Sequence, residues 1–244
     1  MRRHCWLALA MVFLPAAYAS ESGGAAWQQW RAGNQVLDRS SLQRGARNFM
    51  NYCAGCHSLK YKRYRRIARD LRIDEDVFTA NLLPADRRLT DYVISPMPAA
   101  DGEAWFGKAP PDLSLTARAK GTDYMFQFLK TFYVDAARPT GVDNLALVGT
   151  AMPHVLADLQ GLQTAVFGDP ATRQGFEKFE TAVPGRLAPA EYDAFVRDIV
   201  NFLDYVGEPA QLSRASIGIW VVLFLLAFTG IAWLLKQEYW KDIH

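Results

Sequence analysis

Cysteine is scarce in this chain of 244 residues: there are three, at positions 5, 53 and 56. Cys5 falls in an N-terminal leader, so the rest of the chain holds one thiol pair and no further cysteine with which to build a structural disulfide. The same scarcity excludes a zinc site made from two cysteine pairs. Histidine is nearly as sparse, with four. Neither sign of charge is in excess either. The formal net charge is +2, and once Arg2 and Arg3 are set aside the basic residues balance the 25 acidic ones. No basic surplus points to nucleic acid. Internal repeats and low-complexity segments are absent, which excludes solenoid and array architectures.

Two apolar ends flank a compositionally ordinary middle. Arg2 and Arg3 lead an apolar stretch, Leu7 to Leu14, closed by the small-residue site Ala17-Tyr18-Ala19. That is the pattern of a cleaved export signal, residues 1–19, too short to span a membrane. At the other end, Ile217 to Leu235 carries no charge and is bracketed by Arg214 and Lys236. Nineteen residues at about 1.5 Å each give roughly 28 Å, the hydrocarbon thickness of a bilayer. Trp220, Trp233, Tyr239 and Trp240 lie toward its ends, where interfacial aromatics sit. The expected organisation is an exported domain over 20–213, a transmembrane anchor over 214–236 and a cytoplasmic tail over 237–244. Lys236 and Lys241 agree with a cytoplasmic tail by the positive-inside rule.

Within the exported domain, Cys53-Ala54-Gly55-Cys56-His57 is the sequence form of covalent haem attachment. Two thiols at this spacing can add to the haem vinyl groups, and the adjacent imidazole then reaches the iron. A thioredoxin-like redox pair would leave His57 unexplained, and a zinc site would need two more ligands at matching spacing.

The motif is expected at the end of a helix. Ser40 or Ser41 can cap it, and Leu42, Ala46, Phe49, Met50 and Cys53 recur at helical spacing. Gly45 and Phe49 share its face with Cys53, a small residue that permits close approach and a ring beside it. Residues 58–76, basic and then acidic, read as a solvated helix-and-loop face. A short helix over Asp74 to Leu83 ends at Pro84. Pro96, Pro98, Pro110 and Pro111 then predict a long loop region with few helical residues. An aromatic helix over Asp123 to Tyr133 follows. Residues 161–187, interrupted by Gly and Pro, read as irregular. Pro189 opens a last amphipathic helix with Tyr192, Phe195, Val196, Ile199, Phe202, Leu203 and Val206 on one stripe, stopped by Gly207 and Pro209.

For the other side of the iron, Met97, Met125 and Met152 are thioether candidates, with His154 as an imidazole alternative. Met125 falls inside a core helix. Met97 and Met152 both stand in loops beside proline, and chemistry alone does not separate them. Arg118 is a candidate to pair with a haem propionate, guanidinium matching carboxylate.

Gly45, Phe49, the Cys53–His57 motif and a terminal aromatic helix resemble the cytochrome c fold. Pro110-Pro111-Asp112-Leu113-Ser114, Ala117-Arg118-Ala119, Ala151-Met152-Pro153, Val200-Asn201-Phe202-Leu203 with Glu208-Pro209, and one C-terminal anchor narrow this to the cytochrome c1 family. The resemblance implies a mainly α, cytochrome c fold with long loop insertions plus one C-terminal transmembrane helix. It implies one covalent haem c on Cys53 and Cys56, His57 as proximal and Met152 as distal ligand, Arg118 on a propionate and Pro111 packed on the haem. Leu147-Val148-Gly149-Thr150 departs from the Gly- and Pro-rich approach of many relatives, and with no extra cysteines the loop is expected to be held by packing.

The implied function is a one-electron relay in the cytochrome bc1 complex, from the Rieske iron–sulfur protein through the haem to a cytochrome c acceptor. Quinol oxidation would belong to cytochrome b, so the chain would not be catalytic alone. The implied setting is a bacterial inner membrane, with the haem domain in the periplasm, in a dimeric complex. An independent membrane-anchored cytochrome c feeding a terminal oxidase shares every haem feature, and a haem sensor or enzyme would require an open sixth position.

Overall fold

The computed structural model describes residues 27–169 and 171–241. The expected leader and its cleavage after Ala19, and the last three residues of the tail, lie outside the described residues. A short 3-10 turn, Trp27–Gln29, precedes α1 (Arg39–Tyr52), β1 (Leu59–Arg63), α2 (Tyr64–Leu71), α3 (Glu75–Asn81), β2 (Tyr92–Val93), α4 (Ala99–Phe106), α5 (Thr116–Lys120) and α6 (Thr122–Lys130). Then come β3 (Phe132–Val134), β4 (Val142–Asn144), α7 (Ala157–Gln160), β5 (Gly161–Asp169), β6 (Gln174–Pro184), α8 (Pro189–Gly207) and α9 (Gln211–Tyr239). The strands form three separate antiparallel pairs, β1 with β2, β3 with β4 and β5 with β6.

The core is the crossing of α1 and α8. A side chain at Gly45 would collide with the Asp198 carbonyl oxygen, so this position brings two backbones into contact. Phe49 and Phe202 fill the space beside it, ring centroids 5.7 Å apart. The stripe read from the sequence is buried at Tyr192, Val196, Ile199, Phe202, Leu203 and Val206, with Phe195 half-buried. The cap of α1 is Asp38, whose carboxylate accepts from Ser41 N at 3.1 Å. Neither serine caps, because Ser41 Oγ turns inward to donate to Asp198 Oδ1 at 2.6 Å. Arg44 completes this polar contact, with Nε 2.6 Å from Asp198 Oδ2.

Four further expectations change. Within 161–187, β5 and β6 pair as an antiparallel hairpin, and Gly161 and Gly185 mark its root. There Gly161 and Gly185 run so close to the facing backbone that neither could carry a side chain. The hairpin rests on β3 through Gln163 Nε2, which donates to the Phe132 carbonyl at 2.7 Å, and through Phe167 edge-on to Tyr133 at 5.9 Å. Eight residues between Pro98 and Gly107 form α4, because an alanine-rich stretch fits between the prolines. The aromatic helix ends at Lys130, since Phe132–Val134 finds strand pairing with Val142–Asn144. Residues 59–71 are also less solvated than their charge suggests: Leu59, Tyr64, Ile67, Ala68 and Leu71 are buried under the basic residues.

Candidate haem site

Cys53 is the C-cap of α1, its N–H bonded to the Phe49 carbonyl at 2.8 Å. The chain then turns back on itself, with Cys56 N and His57 N both donating to the Cys53 carbonyl, at 3.1 and 2.8 Å. Cys53 is buried, Cys56 half-buried, and both are free thiols. Burial pushes the Cys53 thiol up to about 12, and raises Cys56 as well.

His57 is buried. Its Nδ1 lies 2.8 Å from the Pro111 carbonyl oxygen. A carbonyl only accepts, so the proton sits on Nδ1 and the Nε2 lone pair is left for a metal. Burial lowers the imidazole's affinity for a second proton, with Pro111 and Asp112 acting the other way. A neutral imidazole is the form that binds iron.

The Pro110–Ser114 segment is laced to the motif by hydrogen bonds. Leu113 N donates to the Ser58 carbonyl at 2.9 Å, Lys60 N to Asp112 Oδ2 at 2.8 Å, and Tyr61 N to Ser114 Oγ at 3.2 Å. On the other side Ser95 Oγ donates to the Gly55 carbonyl at 2.8 Å and Ser95 N to Ser58 Oγ at 2.9 Å. None of these partners is legible from the motif. The one sequence signal is the pair of prolines, which fixes an extended run with carbonyls to spare.

The candidates for the other side of the iron are placed differently. Met152 is half-buried against the core in the loop after β4. Met97 Sδ is turned toward α4, 3.5 Å from where a side chain at Gly102 would begin. Met125 is buried within α6. His154 stacks on Phe132 at 4.9 Å and 6°, its Nε2 buried without a hydrogen-bond partner, and burial lowers it to about 4. Arg118, on α5, has its Nη1 3.7 Å from Glu208 Oε2 with a side chain 65% exposed. The Pro111 ring is exposed. Paired thiols beside a neutral imidazole with a free Nε2 are a donor set that fits covalent haem.

The family model described as "Cytochrome C1 family" matches residues 29–161 and 187–243. The chain belongs to the cytochrome c1 family. It is 47% identical over 242 residues to the protein named "Cytochrome c1" of Allochromatium vinosum, covering 98% of both chains. It is 39% identical over 244 residues to the "Ammonia monooxygenase gamma subunit" of Nitrosomonas europaea, covering 100% of both. It is 27% identical over 247 residues to the "Cytochrome b/c1" of Bradyrhizobium diazoefficiens, covering 85% of this chain and 34% of that one.

As a cytochrome c1, the chain is an electron-transfer subunit of the bc1 complex and carries one covalently attached haem c. It is membrane-anchored, and α9 is long and apolar enough to be the anchor. The two stretches matched to the cytochrome c1 family flank the β5–β6 hairpin.

Proposed function

We propose that Cys53 and Cys56 attach the haem, that His57 is the proximal ligand and that Met152 is the distal ligand. The observation that carries this reading is the His57 Nδ1 bond to the Pro111 carbonyl. It orients a neutral imidazole directly after the two thiols. With haem bound, Cys53 and Cys56 would hold it by adding S–H across its two vinyl groups, sulfur to one carbon and hydrogen to the other, which needs no oxidant. Because Cys53 is buried in the core, attachment would precede closure of the core around it.

Bound haem supplies a one-electron Fe(III)/Fe(II) couple. The chain's part is to hold it. Pro111 keeps the His57 ring in place and strengthens it as a donor, and its exposed ring packs on the haem. The Met152 thioether favours the reduced state and raises the potential. Arg118 offers its guanidinium to a propionate, since its long contact with Glu208 leaves donors free.

The donor in this reading is the Rieske iron–sulfur protein and the acceptor a cytochrome c. Quinol chemistry resides in cytochrome b, so the chain is a redox subunit and not a catalyst alone. Family membership supports this, as does a relative named for cytochromes b and c1 together. The complex is a dimer in a bacterial inner membrane. Residues 1–19 are a cleaved leader, 20–213 lie in the periplasm, 214–236 span the membrane and 237–244 face the cytoplasm.

Two measurements test the reading. Met152→Leu should lower the reduction potential and let the reduced protein bind carbon monoxide, whereas Met97→Leu should do neither. An unchanged potential in Met152→Leu would move the ligand to Met97 or His154. Mild detergent extraction through a tag on the tail should bring down b-type haems and a Rieske paramagnetic signal. A c-type haem alone would support an independent anchored carrier, and a co-purifying monooxygenase would follow the Nitrosomonas relative's name instead.

A further inference from the structure

The loop from β4 to Met152 has no apolar anchorage at its tip. Leu147 is 48% exposed, Val148 70%, and Gly149 is exposed too. It is held instead by two fully buried polar residues at the end of β4, Asp143 and Asn144. Asn144 Oδ1 accepts from Ala146 N at 2.8 Å and Leu147 N at 3.1 Å, while its Nδ2 donates to the Phe128 carbonyl at 2.7 Å. Asp143 Oδ1 accepts from Asn144 N at 2.8 Å and from Gly149 N at 2.7 Å, three residues before Met152. The sequence reading that packing holds this loop is therefore incomplete: hydrogen bonds from a buried carboxylate and a buried amide hold its tip.

A buried carboxylate is costly unless a cation meets it. Arg138 does so, with Nη2 2.6 Å and Nε 2.8 Å from Asp143 Oδ2. Its Nε is also 3.7 Å from Asp135 Oδ2. Asp135 is itself buried and takes the fork of Arg173, one nitrogen on each carboxylate oxygen, with Nη2 3.0 Å from Oδ1. Arg173 belongs to the tip of the β5–β6 hairpin, where its backbone is left-handed at φ 55°. A non-glycine residue held there is strained, because its Cβ crowds the following carbonyl oxygen. A side chain held at such cost on a buried carboxylate marks a clasp more than a solvated turn.

We propose that the β5–β6 hairpin braces the distal-ligand loop, through the chain Arg173, Asp135, Arg138, Asp143 and the Gly149 N–H. Arg173 lies between the stretches matched to the cytochrome c1 family, whereas Asp135, Arg138, Asp143 and Gly149 lie within the first of them. Arg173 and Asp135 are positioning residues, and their bearing on the iron rests on the assignment of Met152 above.

The test uses the full-length haem-loaded protein in detergent. Arg173→Asn removes the fork and keeps a residue that tolerates the left-handed backbone. It should speed amide exchange in the peptide spanning 145–152 by about fivefold, the loss of one partly exposed ion pair, and leave α1 and α8 unchanged. Imidazole affinity of the ferric protein should rise by the same factor, as the loop opens more often. Arg173→Asn combined with Asp135→Asn should add little to either single change. Unchanged exchange over 145–152 in Arg173→Asn, with wild-type thermal stability, overturns the brace whatever the ligand is. If exchange rises but Met152→Leu keeps the methionine–iron charge-transfer band, the brace stands and the ligand assignment falls.

Discussion

At the scale of single residues, the haem motif depends on partners far along the chain. His57 is fixed by a carbonyl 54 residues away and the tip of the Met152 loop by the Asp143 carboxylate. Lys62 shows the opposite situation, a charge with no salt-bridge partner among the described residues. It is 6% exposed, its Nζ lies 5.2 Å from the Tyr205 ring centre, and burial lowers it to about 8, with Asp70 opposing the shift and Arg66 adding to it. Below pH 8 both native and unfolded chains carry the proton and the cost of burying it is full. Between about 8 and the ordinary 10.5 the unfolded chain keeps a proton that the native one has released, so stability rises with pH across that window. Lys62→Met should therefore stabilise the protein by about 1–2 kcal/mol at neutral pH, allowing for solvent at the ammonium tip, and the advantage should vanish above pH ~10.5. Denaturant midpoints of both proteins across pH decide this; a constant difference would mean the gain is packing alone.

At the scale of elements, the α1–α8 crossing carries the site, because α1 ends in the haem motif. Ser41, Arg44 and Asn201 converge on this crossing beside the Gly45 contact; Asn201 Nδ2 donates to Ser41 Oγ at 2.9 Å, and Ser41 to Asp198. The helices are thus locked in register by buried hydrogen bonds as well as by the Phe49–Phe202 contact. Gly45→Ala should push them apart at the Asp198 carbonyl and cost about 3 kcal/mol, the range of overpacked cores. Chemical denaturation of the haem-loaded protein measures it. A loss under about 0.5 kcal/mol, the size of an ordinary surface substitution, would show that the crossing relaxes freely.

At the scale of the whole molecule, the domain and the anchor are nearly independent. No residue of α9 is fully buried, and the 18-residue apolar stretch within it, of mean hydropathy 2.4, buries nothing against the described chain. Leu212, half-buried in its first turn, is where α9 meets the core. A chain ending at Ser213 should be soluble, keep its haem spectrum and unfold within about 2 °C of the full-length protein, since no buried area is lost. Sedimentation after lysis and thermal melting of both forms check this. A large drop in melting temperature would mean that the anchor contributes to the domain's core.

The Cys53–His57 motif, the Gly45–Phe49 face, the stripe of α8 and the apolar run of α9 were legible in the sequence because each depends on local spacing: adjacent residues, helical periodicity, or one uninterrupted apolar run. The Pro111 carbonyl, the Asp38 cap, the inward turn of Ser41 and the β5–β6 hairpin were not. Each depends on which distant backbone arrives beside a residue. A carbonyl has no sequence signature, and a glycine at a close approach looks the same as one in a loose turn. The sequence by itself determined which chemistry this cytochrome c1 can perform and where it is anchored. Only the tertiary structure decided how His57 is oriented and what holds the loop before Met152, because those depend on hydrogen bonds and ion pairs closed across the fold.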